Sequence, residues 1–226
     1  YLMRHRHTSP FEMVEFKFHV KLPIFVARQW IRHRTANVNE YSGRYSEMRD
    51  EFYLPETDQI RHQSTMNRQG RSDETLSEQE SSDIRNEMDD INSQLYEKYK
   101  SMLDKDLTRE LARIELPLST YTEWYWKIDL HNLLHFLKLR MDDHAQYEIR
   151  VYANAIGDMM KKIVPVTWEA FEDYILYGNS FSRPEQKYLQ RVISKLDFDE
   201  EEMKKDGIKG LEAKEFMKKI ENLLNI

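Results

Sequence analysis

The chain has 226 residues and not one cysteine. That excludes disulfides, thiolate metal sites and a cysteine nucleophile. Long apolar runs are also missing: none approaches the roughly 20 residues that a membrane-spanning helix needs. A positive excess is absent as well, since the formal net charge is −6, which argues against a dedicated nucleic-acid binder. No internal repeat is present. What remains is an ordinary soluble composition, 33% charged and 40% hydrophobic. The length allows one sizeable domain with a real core, or two small ones. A cytoplasmic location with no membrane and no nucleic-acid partner is expected.

Against this acidic background, residues 28 to 44 carry four arginines and one acidic residue, Glu40. A local cationic stretch in an acidic chain points to an anion site rather than a polyanion surface. Asn37, Asn39, Ser42 and Gly43 add turn formers with short hydrogen-bonding groups. Ser42-Gly43-Arg44 can offer backbone N–H groups, a hydroxyl and a guanidinium fork to one phosphate.

The flanking segments predict an α+β fold: an antiparallel sheet flanked by long helices in a single domain, with a mostly helical C-terminal half. Ser9, Pro10 and Glu12 read as a capping box opening a short helical turn. Val14, Phe16, Phe18, Val20 and Leu22 alternate with polar residues, which predicts a half-buried antiparallel strand. Pro23 opens a helix to about Arg34, with Gln29, Arg32 and His33 on its polar face. A short strand over 51–54 is stopped by Pro55. Residues 56–82 read as a loop that is either a lid or simply disordered. Helical spacing returns over 83–104. Thr108 caps a helix that carries Arg113 and ends at Pro117. Tyr121, Trp124, Tyr125 and Trp126 argue for a strand.

Asp129 then caps a helix whose apolar side holds Leu130, Leu133, Leu137 and Met141. At about 100° per residue, Arg140 falls about 20° to one side of Leu133 and His144 about 20° to the other. No acid lies on that face, so Arg140 is expected to find its partner in a ligand or another chain. His131 and His135 stand one turn apart on the opposite side. Without a glutamate base or a third ligand they do not make a metal site. Further helices run to about Lys162 and from Trp168 to Leu176, and from Ser182 onward the chain is helical and charged.

The run Arg32-His33-Arg34, seven residues, then Ser42 is similar to the signature motif of the flavin-dependent thymidylate synthases. Gly43-Arg44-Tyr45, the segment Leu111–Leu118, and Leu137–Arg140 with His144-Ala145-Gln146 resemble that family too. The likeness extends from about His5 to Phe171. It implies a catalytic domain over 1–180 that lacks its N-terminus, where part of the flavin site lies, and a helical charged extension over 181–226. The implied activity is reductive methylation of dUMP to dTMP, with methylenetetrahydrofolate as carbon donor, NADPH as reductant and FAD as cofactor, in a homotetramer with shared sites.

The resemblance also implies residue roles. Arg44 and Arg113 would hold the phosphate of dUMP. Gln29, Glu40, Ser42 and Arg140 would orient sugar and base, with Trp30, Ile31, Arg32, Tyr41 and Gly43 around them and Arg140 as the catalytic group. Ser9, Arg32, His33, Arg34, Asn39, Glu40, Asp129, His131, His135 and His144 would meet FAD, and His7 the folate. Many members carry Asn or Arg at some of the positions of Asp129, His131 and His135. Ser42 has no adjacent base, so it is read as a binding residue. The competing class is a non-catalytic nucleotide- or RNA-binding module that uses the basic stretch and the aromatics at 121–126. Those arginines and aromatics lie in separate segments.

Overall fold

A computed structural model describes residues 1–65, 70–193 and 200–224, except the side chain of residue 200. The chain divides into two compact units, Tyr1–Leu176 and Tyr177–Ile226. In the first, α1 (Ser9–Glu12) is capped by Thr8 without a side-chain hydrogen bond, so the expected capping box at Ser9 does not form. The alternating stretch becomes β1 (Glu15–Pro23), with Val20 and Leu22 buried and Lys17, His19 and Lys21 exposed. Pro23 caps α2 (Ile24–Trp30).

This helix stops four residues short of expectation. Tight turns close over Ile31–His33, and Ala36–Glu40 forms β2, where a loop of turn formers was expected. The reason is tertiary: β2 pairs antiparallel with β5 (Tyr121–Asp129), Glu40 opposite Trp124, and a ladder overrides weak local preferences. The sheet order is β1-β5-β2, with β5 in the centre. In place of a strand at 51–54 there is a single bridge, Phe52 to Thr120.

Residues 56–65 and 70–82 hold more regular structure than the sequence suggests. A hairpin of β3 (Arg61–Gln63) and β4 (Arg71–Thr75) occupies the first part. Residues 66–69 lie outside the described residues. The second part already belongs to α3 (Glu78–Asp104), which starts at a reciprocal capping box between Ser77 and Glu80. Next come α4 (Arg109–Ala112) and a 3₁₀ turn at Arg113–Glu115. Asp129 caps α5 (Leu130–Arg140) by accepting from the Asn132 N–H at 2.9 Å. Then α6 (Tyr147–Ile163) and α7 (Pro165–Phe171) follow, with a π-type turn to Leu176.

The core lies between the sheet and α2, α5 and α6. Trp30 is its hub, fully buried. Its ring stacks on Phe136 at 4.8 Å and meets Trp126 and Trp124 edge-on at 5.0 and 5.9 Å. Truncating such a residue costs about 3–5 kcal/mol. The second unit holds α8 (Arg183–Ile193), α9 (Glu200–Lys205) and α10 (Leu211–Leu224), with Gln190 donating to the Leu224 carbonyl. The acidic run expected to be exposed at 197–202 begins outside the described residues. Among the described residues no helix is long and apolar enough to cross a membrane.

Candidate active site

The basic stretch leaves α2, turns, runs along β2 and turns again at Ser42. The second turn is local: Ser42 accepts at its carbonyl from the Tyr45 and Ser46 N–H groups, both at 3.1 Å. Its hydroxyl accepts from the Arg44 N–H at 3.4 Å. Tyr41 is tied by its N–H to the Glu123 carbonyl and by its hydroxyl to the Glu47 carbonyl. Gly43 is buried, and a Cβ there would lie 2.8 Å from Met48 Sδ and 3.1 Å from Arg113 Cδ. The backbone of the turn therefore rests against the Arg113 side chain. Arg44 is held beside it by Glu110, one turn before Arg113, with Nε and Nη2 both 3.0 Å from Oε2. Two arginines 69 positions apart (113 − 44) thus flank one glycine turn.

A second group forms where α2 meets α5. Arg140 is half-buried and does have a partner within the chain, contrary to expectation. Its Nε donates to His33 Nε2 at 2.9 Å. Burial pushes the His33 pKa down, with help from the Arg140 and His135 charges, to about 4. The ring is therefore neutral and free to accept. Phe136 meets it edge-on at 4.9 Å, and the His135 ring lies 6.4 Å away. Burial lowers the Arg140 pKa from its ordinary value.

Other residues fall as follows. Gln29 ends α2 and donates to Gln146. Glu40 accepts from the Thr122 hydroxyl at 2.8 Å. Arg32, Arg34, Asn39 and His135 are exposed, and His131 is half-buried. Asp129 is committed to its cap and to the Asn132 amide at 2.7 Å. Ile31 is partly exposed, whereas the Trp30 side chain belongs to the core, so only its backbone can face a ligand. His144 departs from its expected place. Helix α5 has ended, and His144 sits in the following loop with its side chain 84% exposed and its ring 2.8 Å from Asp142. Ser9 and His7 are exposed near the start, where His7 groups with Tyr1 and His5.

One cluster has no counterpart in the sequence reading. Glu148 on α6 is buried and accepts from the Tyr53 hydroxyl at 2.9 Å, from Arg71 on β4, and from Gln146 Nε2 at 2.8 Å. Burial alone would raise the Glu148 pKa, and these donors more than offset it, so the carboxyl is held below its ordinary range. A readable signal was available: Glu148 shares a helix face with Tyr152 one turn on, where an apolar residue is expected. Gln146 and Arg71 also line an open groove of about 850 Å³ with Arg61, Tyr147 and Arg150.

The arrangement offers arginines flanking a glycine turn, which suits a phosphate, and Arg140 against a neutral imidazole, with Arg32 and Arg34, the sequence neighbours of that histidine, exposed. Trp124 and Trp126 point into the core, which removes them from any base-stacking surface. Among the described residues no three His, Cys, Asp or Glu side chains cluster as metal ligands.

The sequence model of the family described as thymidylate synthase complementing protein matches residues 1–166. A protein of Ehrlichia ruminantium (strain Gardel) named flavin-dependent thymidylate synthase is 52% identical over 217 residues, covering 96% of this chain and 72% of its own length. One of the same name from Dictyostelium discoideum is 53% identical over 210 residues, covering 91% of this chain and 69% of its own. Among solved structures, the UMP/dUMP methylase PolB from Streptomyces cacaoi, bound with 5-Br UMP, superposes with a TM-score of 0.72 at 35% identity. The match covers 76% of this chain and 79% of that one.

Proposed function

The chain belongs to the flavin-dependent thymidylate synthase family and serves thymidylate synthesis, and from that premise we propose that it converts dUMP to dTMP with FAD, NADPH and methylenetetrahydrofolate. The supporting observation is the turn at Gly43 lying against Arg113 with Arg44 beside it. These two guanidiniums clamp the nucleotide phosphate as paired cations. Gln29, Glu40 and Ser42 orient the sugar and base.

Methylation at uracil C5 needs electron density on that carbon. With no cysteine among its residues, this chain cannot raise it by adding a thiolate at C6. Arg140 instead stabilises charge developing on a uracil carbonyl. Its Nε is already fixed by His33, which leaves the two terminal nitrogens to aim at the base. Arg32, Arg34, Asn39 and His135, all exposed, would hold the cofactor. When bound, reduced FAD would supply the hydride that completes the methyl group. The C5 hydrogen leaves as a proton.

We place this activity in a cytoplasmic homotetramer with shared sites. Support comes from apolar side chains left exposed on α3, on α4 and after it: Met88, Ile91, Leu111, Ile114 and Leu118. A molar mass by light scattering equal to one chain, in a fully active sample, rejects the tetramer. The reaction itself is tested by the absorbance spectrum of the protein with added FAD, before and after NADPH. Bleaching that quickens when dUMP is present supports it. A protein that takes up no FAD defeats it.

A further inference from the structure

We propose that Glu148 is a positioning residue that fixes the polarity of Gln29, so that Gln29 meets the nucleotide as a hydrogen-bond acceptor and selects for a donor on it. This rests on the reading of Gln29 as a nucleotide contact. The argument starts at the carboxylate. The Glu148 side chain is 3% exposed and surrounded by donors: the Tyr53 hydroxyl, the Arg71 guanidinium and the Gln146 amide. An ionised carboxylate only accepts. Gln146 must therefore turn its NH₂ to Glu148, and its carbonyl oxygen is the atom left for Gln29. That oxygen takes the Gln29 NH₂. Gln29 Oε1 is what remains for a ligand.

Nothing in the cluster can reverse this order. Arg71 is always a donor. Burial, with the neighbouring Glu148 charge, pushes the Tyr53 pKa up, so its phenol keeps its proton. Either amide could flip in isolation, but a flip of Gln146 would set its oxygen against the carboxylate, and a flip of Gln29 alone would set oxygen against oxygen. The polarity thus runs from a buried charge on α6 through one side chain to the last turn of α2. At Gln29, a ligand hydroxyl or the N3–H of uracil is accepted. A carbonyl or an unprotonated ring nitrogen at the same place leaves an unpaired acceptor pair, a strong basis for rejection.

The test is equilibrium binding to the FAD-loaded chain of three probes: dUMP, 2′,3′-dideoxyuridine monophosphate, which lacks the sugar donor, and N3-methyl-dUMP, which lacks the base donor. Wild type is expected to bind one of the two analogues at least tenfold more weakly than dUMP, which identifies the donor. That ratio is expected to fall to threefold or less in Gln146→Leu, which breaks the relay, and in Glu148→Gln, which removes the fixed sign. Tyr53→Phe keeps the charge and is expected to keep the ratio. If Glu148→Gln does not fold, Gln146→Leu decides. Equal binding of all three probes by wild type overturns the inference, as does a ratio that survives in the relay variants. A ratio lost in Tyr53→Phe as well overturns it too, since it would mark general loosening. Failure of wild type to bind dUMP at all rejects the nucleotide reading of the site instead.

Discussion

Arg140 donates its Nε proton to His33 Nε2 at 2.9 Å, so the site holds one arginine against a neutral ring instead of a carboxylate. The pair is half-buried and carries a net positive charge. Protonating His33 would remove the acceptor and put two cations in contact.

Stability should therefore carry a His33 signature. The ordinary histidine value is 6.5, and in the folded chain it is about 4. Between these values the unfolded chain binds more protons, so stability falls as pH drops from 6.5 toward 4 and is fully present above 6.5. Allowing for solvent screening of a half-exposed ring, the contribution is on the order of 1–2 kcal/mol. His33→Gln keeps an acceptor for Arg140 without titrating. Urea midpoints at pH 7.5 and 4.5 should show a smaller acid loss in the variant. Equal losses would refute this origin.

Arg140→Met replaces a poorly paired cation by an apolar side chain. The ligand-free protein should stay within about 1 kcal/mol of wild type, since such replacements are often neutral or stabilising. Binding of dUMP should weaken by about 2–4 kcal/mol, roughly 30- to 1000-fold, while FAD binding changes much less. Thermal melting with and without dUMP, plus a titration, measures both. A variant that unfolds when empty yet keeps dUMP affinity would make Arg140 a structural residue.

Gly43→Ala tests the contact with Arg113. The new methyl meets Met48 Sδ at 2.8 Å, and Met48 cannot retreat freely. Its side chain is buried in a small cluster with Tyr99 and Ala112. A loss of about 1–3 kcal/mol is expected, together with weaker phosphate binding. Adding Met48→Ala should relieve the clash without restoring full core stability. If Gly43→Ala melts and binds as wild type does, the turn is not constrained.

Ser42→Ala should weaken dUMP binding and leave dTMP formation measurable. The hydroxyl accepts from the Arg44 N–H, and no hydrogen bond from it to a general base is seen among the described residues. Complete loss of chemistry with dUMP still bound would favour a nucleophile.

Much of the fold was legible because period and alternation survive packing. β1 follows the apolar pattern to within one residue at each end, α5 starts at its expected Asp129 cap and α6 ends one residue past Lys162, whereas α5 stops at Arg140, short of His144. β2 was not legible, since Asn37 and Asn39 favour turns and only the ladder with β5 makes them extended. The start of α3 was readable from Ser77 and Glu80 but lay inside a stretch whose polarity masked it. In the site, the basic stretch could be read directly. The pairing of Arg140 with His33 could not, because the two lie 107 positions apart and neither is acidic. The partners of Glu148 were not legible either, since they are Tyr53, Arg71 of the hairpin and Gln146, the cap residue before its own helix.

The central position of β5 sets a timetable. Glu15 pairs with Asp129, and Glu40 reaches Thr122 across 82 positions, so neither early strand has a ladder partner until the middle of the chain has left the ribosome. During that interval α3, built on local contacts and its own cap, can form alone, whereas the arginine stretch waits on an unpaired edge. Such long-range closure is slow, and its intermediates expose sticky strands. The nucleotide clamp is consequently among the last parts to take shape, and growth temperature and chaperone supply should govern the yield of active protein more than its final stability does.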